Sequence, residues 1–292
     1  MKRVLSFLTL CLSFVAVPIV SAQDAGNTPP PNFIQIIREE VKPGKGAAHE
    51  KWETGYPRAF SKSAYPVNYT ALVTIFGPSE AWFVARYDSF AQREQVDKFM
   101  SGHSALLAET DRLDGTDGDF LTGIRTIMAR YRADLSHRPG VNIPRMHYFS
   151  VAIVRIRPGH NMDFENARKM IKAAHEKVGL KDNHSVYQVV TGMPAGTFLI
   201  ITPYRSLADV DGMPQIHGKE YQDAIGADGE KKLQEWASSG TLSAETMYFE
   251  ADPKMSYPSK EAIAADPEFW APKPAMAAPA MKKPAAKAPA KQ

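Results

Sequence analysis

Between residues 33 and 41 apolar and polar side chains partly alternate, as in a strand with two unlike faces. Pro43-Gly44 then turns the chain. Ala48, Trp52, Tyr56, Ala59 and Phe60 recur at spacings of three and four, which predicts a helix that Pro57 bends or interrupts. Tyr69 to Phe76 and Trp82 to Tyr87, rich in β-branched and aromatic residues, predict two strands joined by a hairpin at Gly77-Pro78-Ser79-Glu80. Ser89-Phe90-Ala91-Gln92 has the pattern of a capping box, opening a helix that runs to about Leu113 with a break at Ser101-Gly102. The Asp- and Gly-rich stretch from Asp114 to Asp119 reads as a loop, and Arg125 to Arg132 as a fourth strand.

The same order then returns. The apolar run from Phe149, the corner Pro158-Gly159 and the helical run to Val178 repeat the first strand, corner and helix 115 residues later. Pro194 follows Pro78 by 116 residues, Tyr204 follows Tyr87 by 117, and Asp252 follows Asp134 by 118. An offset that drifts by single residues in loops is the mark of two copies of one unit. Each copy reads β-α-β-β-α-β, so the fold class is α+β, with two tandem ferredoxin-like units. Helices cover one face of each sheet and leave the other in need of a partner, so the two copies are expected to close into a barrel with pseudo-two-fold symmetry. The predicted organisation is a signal peptide (1–22), a polar lead (23–32), a first repeat (33–138), a linker (139–146), a second repeat (147–258), a C-terminal extension (259–270) and a Pro/Ala/Lys-rich tail (271–292).

Strand, Pro-Gly corner, helix, hairpin, helix and strand, used in pairs, resembles the dimeric α+β barrel superfamily. That superfamily includes antibiotic-biosynthesis-type monooxygenases, NIPSNAP-like proteins, haem-degrading monooxygenases, and the chlorite dismutase-like and dye-decolourising peroxidase families. The resemblance spans about Phe33 to Pro258. It implies a barrel with room between helices and sheet for a small planar substrate, and cofactor-independent or haem-dependent oxidative chemistry as alternatives. No family-specific catalytic motif is matched.

The ends of the chain change the reading of its charge. Lys2 and Arg3 precede an apolar run to Val20 and a small-residue cleavage site ending at Ala22, which predicts export, with a periplasmic location. The only cysteine, Cys11, lies inside this segment, so the mature chain is expected to have no disulfide, thiolate ligand or cysteine nucleophile. The tail carries five lysines and no acid, and its prolines predict an extended, solvated segment, read first as a solubilising end and alternatively as an electrostatic attachment to an anionic envelope surface. Without both ends the formal net charge of +3 becomes −4, so the folded part is not expected to bind nucleic acid.

Candidate chemistry is sparse. The eight histidines stand at 49, 103, 137, 147, 160, 175, 184 and 217 and form no H-x-x-x-H or H-E-x-x-H pair. A metal site would have to be assembled across strands, and none is predicted. His175 takes the register position of Phe60, an imidazole where the other copy has a phenyl ring; Arg168 lies two turns earlier, and His160 begins the same helix. Haem-binding relatives take an axial histidine from a helix of one repeat. The resemblance therefore makes His175 a candidate haem ligand, the plainer reading being a core-edge histidine. Along the first helix His49, Trp52, Tyr56 and Phe60 share a broad side, which is either core or the wall of a pocket. His49 and His175 are the candidate catalytic bases, and Trp52, Tyr56, Arg168 and His160 the candidate ligand-binding residues. No cofactor is predicted, with haem as the alternative. Gln35 and Ser150 match in register, as do Arg132 and Glu250, the latter compatible with a pseudo-symmetric salt bridge. Asp111, Asp114, Asp117 and Asp119 form an acidic cluster with a weak Ca²⁺ site as one reading, but without a closing Glu at the right distance they read as a solvated loop. The expected function is binding of a small apolar or aromatic molecule by a monomeric pseudo-dimer or a higher homo-oligomer. The alternatives are a monooxygenase or peroxidase-type enzyme and a non-catalytic envelope protein.

Overall fold

The computed structural model describes residues 27–212 and 218–271; the expected signal peptide, part of the polar lead, His217 and the tail beyond Ala271 lie outside the described residues. The first unit runs β1 (Phe33–Val41), α1 (Gly46–Glu53), α2 (Gly55–Lys62), β2 (Tyr69–Phe76), β3 (Glu80–Tyr87), α3 (Phe90–Gly102), α4 (Ser104–Asp117) and β4 (Leu121–Tyr131). The second runs β5 (Tyr148–Ile156), α5 (Asn161–Val178), β6 (Ser185–Thr191), β7 (Thr197–Tyr204), α6 (Lys219–Gly240) and β8 (Thr241–Tyr257), followed by the short helices α7 (Lys260–Ala265) and α8 (Pro267–Trp270).

All strands pair antiparallel, in the closed order β1-β3-β2-β8-β5-β7-β6-β4. Each unit contributes four strands in the same internal order. The open edges, β2 and β4 of one unit against β8 and β6 of the other, meet at two seams. The Pro-Gly corners hold both Gly44 and Gly159 at positive φ, which side chains rarely adopt, and this is why both copies place glycine there. At the β4–β6 seam Gly192 admits no side chain at all, since a Cβ would lie 2.1 Å from the Thr126 carbonyl oxygen.

Strand alternation separates two cores. Ile34, Ile36, Trp82, Ile127, Val151 and Phe249 point into the barrel, and the Trp82 and Phe249 rings meet across the two units at 4.9 Å. The opposite residues face the helices: Ala71, Ala81 and Phe83 in the first unit, Val154, Ile156 and Phe198 in the second. Inside the barrel Arg38 forms a two-pronged ion pair with Glu80 (2.8 and 2.6 Å), whose Oε2 also accepts from the Trp82 indole at 2.7 Å. That pairing satisfies charges that the interior would otherwise penalise. Gln35 lies on the helix-facing side, accepting from Arg93 at 2.7 Å, and Ser150 lies 3.5 Å from the Tyr204 hydroxyl.

Pro57 interrupts the first helix as expected: the proline ring excludes the carbonyl four residues back, so the break falls at Thr54 and Glu53 is the last residue of α1. Two expectations need correcting. Residues 114–117 are the last turn of α4, with the Trp52 indole donating to the Leu113 carbonyl (2.9 Å) and the Tyr56 hydroxyl to Asp114 (2.5 Å). Arg132 pairs with Asp134 and Glu165, whereas Glu250 accepts from the Tyr148 hydroxyl, so the pseudo-symmetric bridge does not form.

The extension after β8 belongs to the core. Trp270 is 5 % exposed, packs with the barrel-interior cluster and donates from its indole to the Pro144 carbonyl at 2.6 Å, while Phe269 stacks on His147. Trp270→Ala is expected to lower unfolding free energy by about 3–5 kcal/mol, read from the midpoint of a denaturant titration. A loss under 1 kcal/mol would show the extension to be peripheral.

Candidate functional site

Two polar clusters lie buried beneath the helices, one in each unit, and they differ in chemistry. In the first unit Glu39 stands on the helix-facing side of β1, where Ile37 and Val41 are its apolar neighbours. His49 and Glu53, four residues apart on α1, share the helix face turned to it. Asp117, the last residue of α4, completes the group. All four are buried, at 5 %, 2 %, 3 % and 4 % exposure. His49 Nε2 lies 2.9 Å from Glu39 Oε2 and 3.6 Å from Asp117 Oδ1. Glu53 Oε1 and Asp117 Oδ1 accept from no N–H or hydroxyl donor, and the two carboxyl groups hydrogen-bond to each other when Glu53 holds its proton.

Burial dominates the electrostatics here. It pushes the Glu53 carboxyl up to about 10, with the neighbouring Glu39 and Asp117 charges adding to the effect. Burial also raises Glu39, against the opposing hydrogen bond from His49, and raises Asp117, against the His49 charge. His49 forms part of the wall of a cavity of about 380 Å³, together with Val73, Ala81, Lys254, Met255 and Phe269. A buried acid–base group therefore adjoins a space of small-ligand size.

The candidate residues of the first helix divide. His49 joins the cluster. Trp52 and Tyr56 instead turn toward α4, where their hydrogen bonds to Leu113 and Asp114 hold the helix end that carries Asp117. Trp52 also lines a broad groove between α1–α2 and α4, and the Arg112 guanidinium lies 5.3 Å from its ring centre. Phe60 belongs to an aromatic group with Tyr65, Tyr69 and Tyr257.

In the second unit Asp182 is the centre. His175 Nδ1 lies 3.1 Å from Asp182 Oδ2, His184 Nδ1 3.6 Å from the same oxygen, and His137 Nε2 3.7 Å from Oδ1. Arg168 donates to His184 Nε2 at 2.6 Å, which keeps that imidazole neutral. Arg168 and His175 thus meet in one cluster, whereas His160 sits at the far end of the 18-residue α5 and contacts Asp163. Burial lowers His184 to about 4 and Arg168 to about 10, while the surrounding histidines hold Asp182 well below the usual carboxylate range against the opposing effect of burial. The residues do not fit haem at His175. Its ring is enclosed by His137, Tyr221 and His184 at centroid distances of 5.2, 5.2 and 5.9 Å, leaving no open face for a macrocycle.

Sequence reasoning missed Glu39, Glu53, Asp117, His137, Asp182 and His184. One signal was present: the H-x-x-x-E spacing of His49 and Glu53 puts two ligating side chains on one helix face. The remaining members come together only through the tertiary fold.

No protein-family model and no curated protein matches the chain. Among solved structures, a provisionally assigned monooxygenase of Fusobacterium nucleatum aligns with a TM-score of 0.50 at 11 % identity, over 75 % of this chain and 91 % of that one. A provisionally assigned monooxygenase of Lactobacillus acidophilus gives 0.46 at 9 % identity over 75 % and 93 %, and a chlorite dismutase variant of Candidatus Nitrospira defluvii 0.46 at 11 % over 77 % and 92 %. The chain has the dimeric α+β barrel fold, both units in one polypeptide. In this α+β barrel, polar groups beneath the helices distinguish the two units.

The second cluster is expected to make the barrel acid-sensitive. Unfolded, a histidine titrates near 6.5; folded, His184 titrates near 4, so between those values the unfolded chain holds more protons and stability falls as pH drops. The contribution is on the order of 3 kcal/mol between pH 7 and pH 4. His184→Gln is expected to show a shallower decline over this window in denaturant titrations at successive pH values. A parallel decline would assign the acid sensitivity elsewhere.

Proposed function

We propose that this protein binds a small, largely apolar or aromatic molecule in the cavity beside α1 and exchanges a proton with it at His49. The observation that carries the reading is the position of His49: buried, oriented by Glu39 at 2.9 Å, and part of the wall of a cavity of about 380 Å³. A carboxylate that holds one imidazole nitrogen fixes the ring and its tautomer, and such a ring serves as a general acid or base. The walls suit an amphipathic ligand with a polar end: Val73, Ala81, Met255 and Phe269 offer apolar contact, Lys254 a positive charge paired with Glu50, and Glu80, Glu250 and Asp252 carboxylates. Removal of a proton from a bound phenol or quinol is also the step that a cofactor-independent oxygenase needs before oxygen reacts. That extends the reading toward the activity named for the Fusobacterium nucleatum protein, with which this chain shares its fold.

The test is a thermal-shift screen against phenols and hydroquinones, followed by oxygen-uptake measurements on those that bind. The expected result is a ligand whose binding survives His49→Gln while its turnover falls at least 100-fold. Turnover unchanged in His49→Gln, or no binding across the panel, would overturn the reading.

We further propose export with cleavage after Ala22 and attachment of the lysine-rich tail to an anionic envelope surface, both resting on the sequence. In cell fractionation the full chain is expected in the envelope-associated periplasmic fraction, and a chain ending at Ala271 in the soluble periplasm. Identical fractionation of the two would remove the tail from the account.

A further inference from the structure

The arrangement of Glu39, His49, Glu53 and Asp117 has a property that proton exchange alone does not explain. Three carboxyl groups are buried together, and among the described residues no lysine or arginine comes within salt-bridge distance of any of them. Their one ionic partner is His49. The one other buried acid among the described residues, Glu80, is compensated by Arg38. Here Glu53 Oε1 and Asp117 Oδ1, on side chains at least nine-tenths buried, accept from no N–H or hydroxyl donor, and the two carboxyl groups bond to each other only through a proton held by Glu53. An unpartnered buried oxygen is costly, and two in one small space call for something between them.

We propose that this cluster is a divalent-cation site, with one oxygen each from Glu39, Glu53 and Asp117 and Nε2 of His49 as the protein ligands. The four donor atoms all lie within 4.8 Å of one another, and two of the separations are 2.9 and 3.6 Å. Ligands held at 2.0–2.2 Å from one ion stand roughly 3–3.5 Å apart, so the group needs only small side-chain adjustments to close on a metal. The backbone also favours a cation. Glu53 is the last residue of α1 and Asp117 the last of α4, and a helix C-terminus carries a partial negative charge.

The donor set selects the class of ion. Three carboxylates and one imidazole exceed the nitrogen content of a calcium site and lack the thiolates of a soft-metal site, which points to a first-row ion of the manganese(II) or iron(II) kind. Binding must displace protons from the carboxyl groups, so cation and protons compete for the same oxygens. Coordination through Nε2 leaves the other nitrogen of His49 free of the ion. The inference rests on the site proposed above but not on its turnover.

The experiment uses the full exported chain, stripped with a chelator and equilibrated with Mn²⁺, which needs no oxygen-free handling. Equilibrium dialysis with elemental analysis is expected to give one Mn²⁺ per chain, with a melting temperature raised by several degrees. Pulsed electron paramagnetic resonance should show nitrogen coupling from a single imidazole. Glu53→Gln and Asp117→Asn, close in shape to the native residues, should each weaken Mn²⁺ binding at least tenfold. Asp182→Asn, in the second cluster, should leave it unchanged. Should Glu53→Gln not fold, Asp117→Asn and the nitrogen coupling decide the matter. Absence of binding at millimolar Mn²⁺, binding unaffected by both substitutions, or a spectrum without nitrogen coupling would each overturn the proposal. If Mn²⁺ does not bind while a phenol still binds the cavity and loses turnover in His49→Gln, only the cation site falls; if Mn²⁺ binds and no phenol does, only the proposed activity falls.

Discussion

Everything in this molecule depends on the pairing of four sheet edges. A four-stranded ferredoxin-like sheet leaves two edges with unmatched backbone donors and acceptors and one bare apolar face. Closing β2 on β8 and β6 on β4 removes both liabilities, since it satisfies the edges and turns the two bare faces toward each other as one interior. The contact of Trp82 with Phe249, one from each unit, lies at the middle of that interior. Gly192 shows how closely a seam is drawn, because even a methyl group there would collide with the Thr126 carbonyl.

With the barrel interior committed to closure, the space for chemistry is the layer between sheet and helices. The two units use that layer differently at matching positions. In the 115-residue register Glu39, His49 and Glu53 correspond to Val154, Phe164 and Arg168. Val154 and Phe164 are core, the latter packed on Phe198 and Trp236, and Arg168 serves the His184–Asp182 network. The second network ties the end of β4 to the loop before β6: His137 and His184 exchange backbone hydrogen bonds there, close to the β4–β6 seam. The second cluster has a cation of its own in Arg168, whereas the first sets three acids against a single imidazole; both hold buried polar atoms without a hydrogen-bond partner.

The architecture was legible because it is written in short-range terms. Alternation, Pro-Gly corners and the repeat offset reflect local backbone preference and binary patterning, and these carried over into strands, turns and a closed barrel. The site was legible only in part. His49 stood out by its residue type, but Glu39 looked like one polar position of a two-faced strand, and Asp117 like a member of a solvated acidic loop. That stretch became helix because Trp52 and Tyr56 hydrogen-bond to its last turn, a tertiary effect that local propensity does not contain. The comparison of Phe60 with His175 located a real divergence between the copies, yet each side chain answers to its own neighbours: an aromatic group in one case, Asp182 in the other.

The C-terminal extension has a mechanical side. Phe269 is part of the cavity wall, Trp270 is locked into the barrel core, and Ala271 is the next residue of the chain. Any surface or protein that takes hold of the residues beyond Ala271 therefore pulls on a point two residues from the cavity.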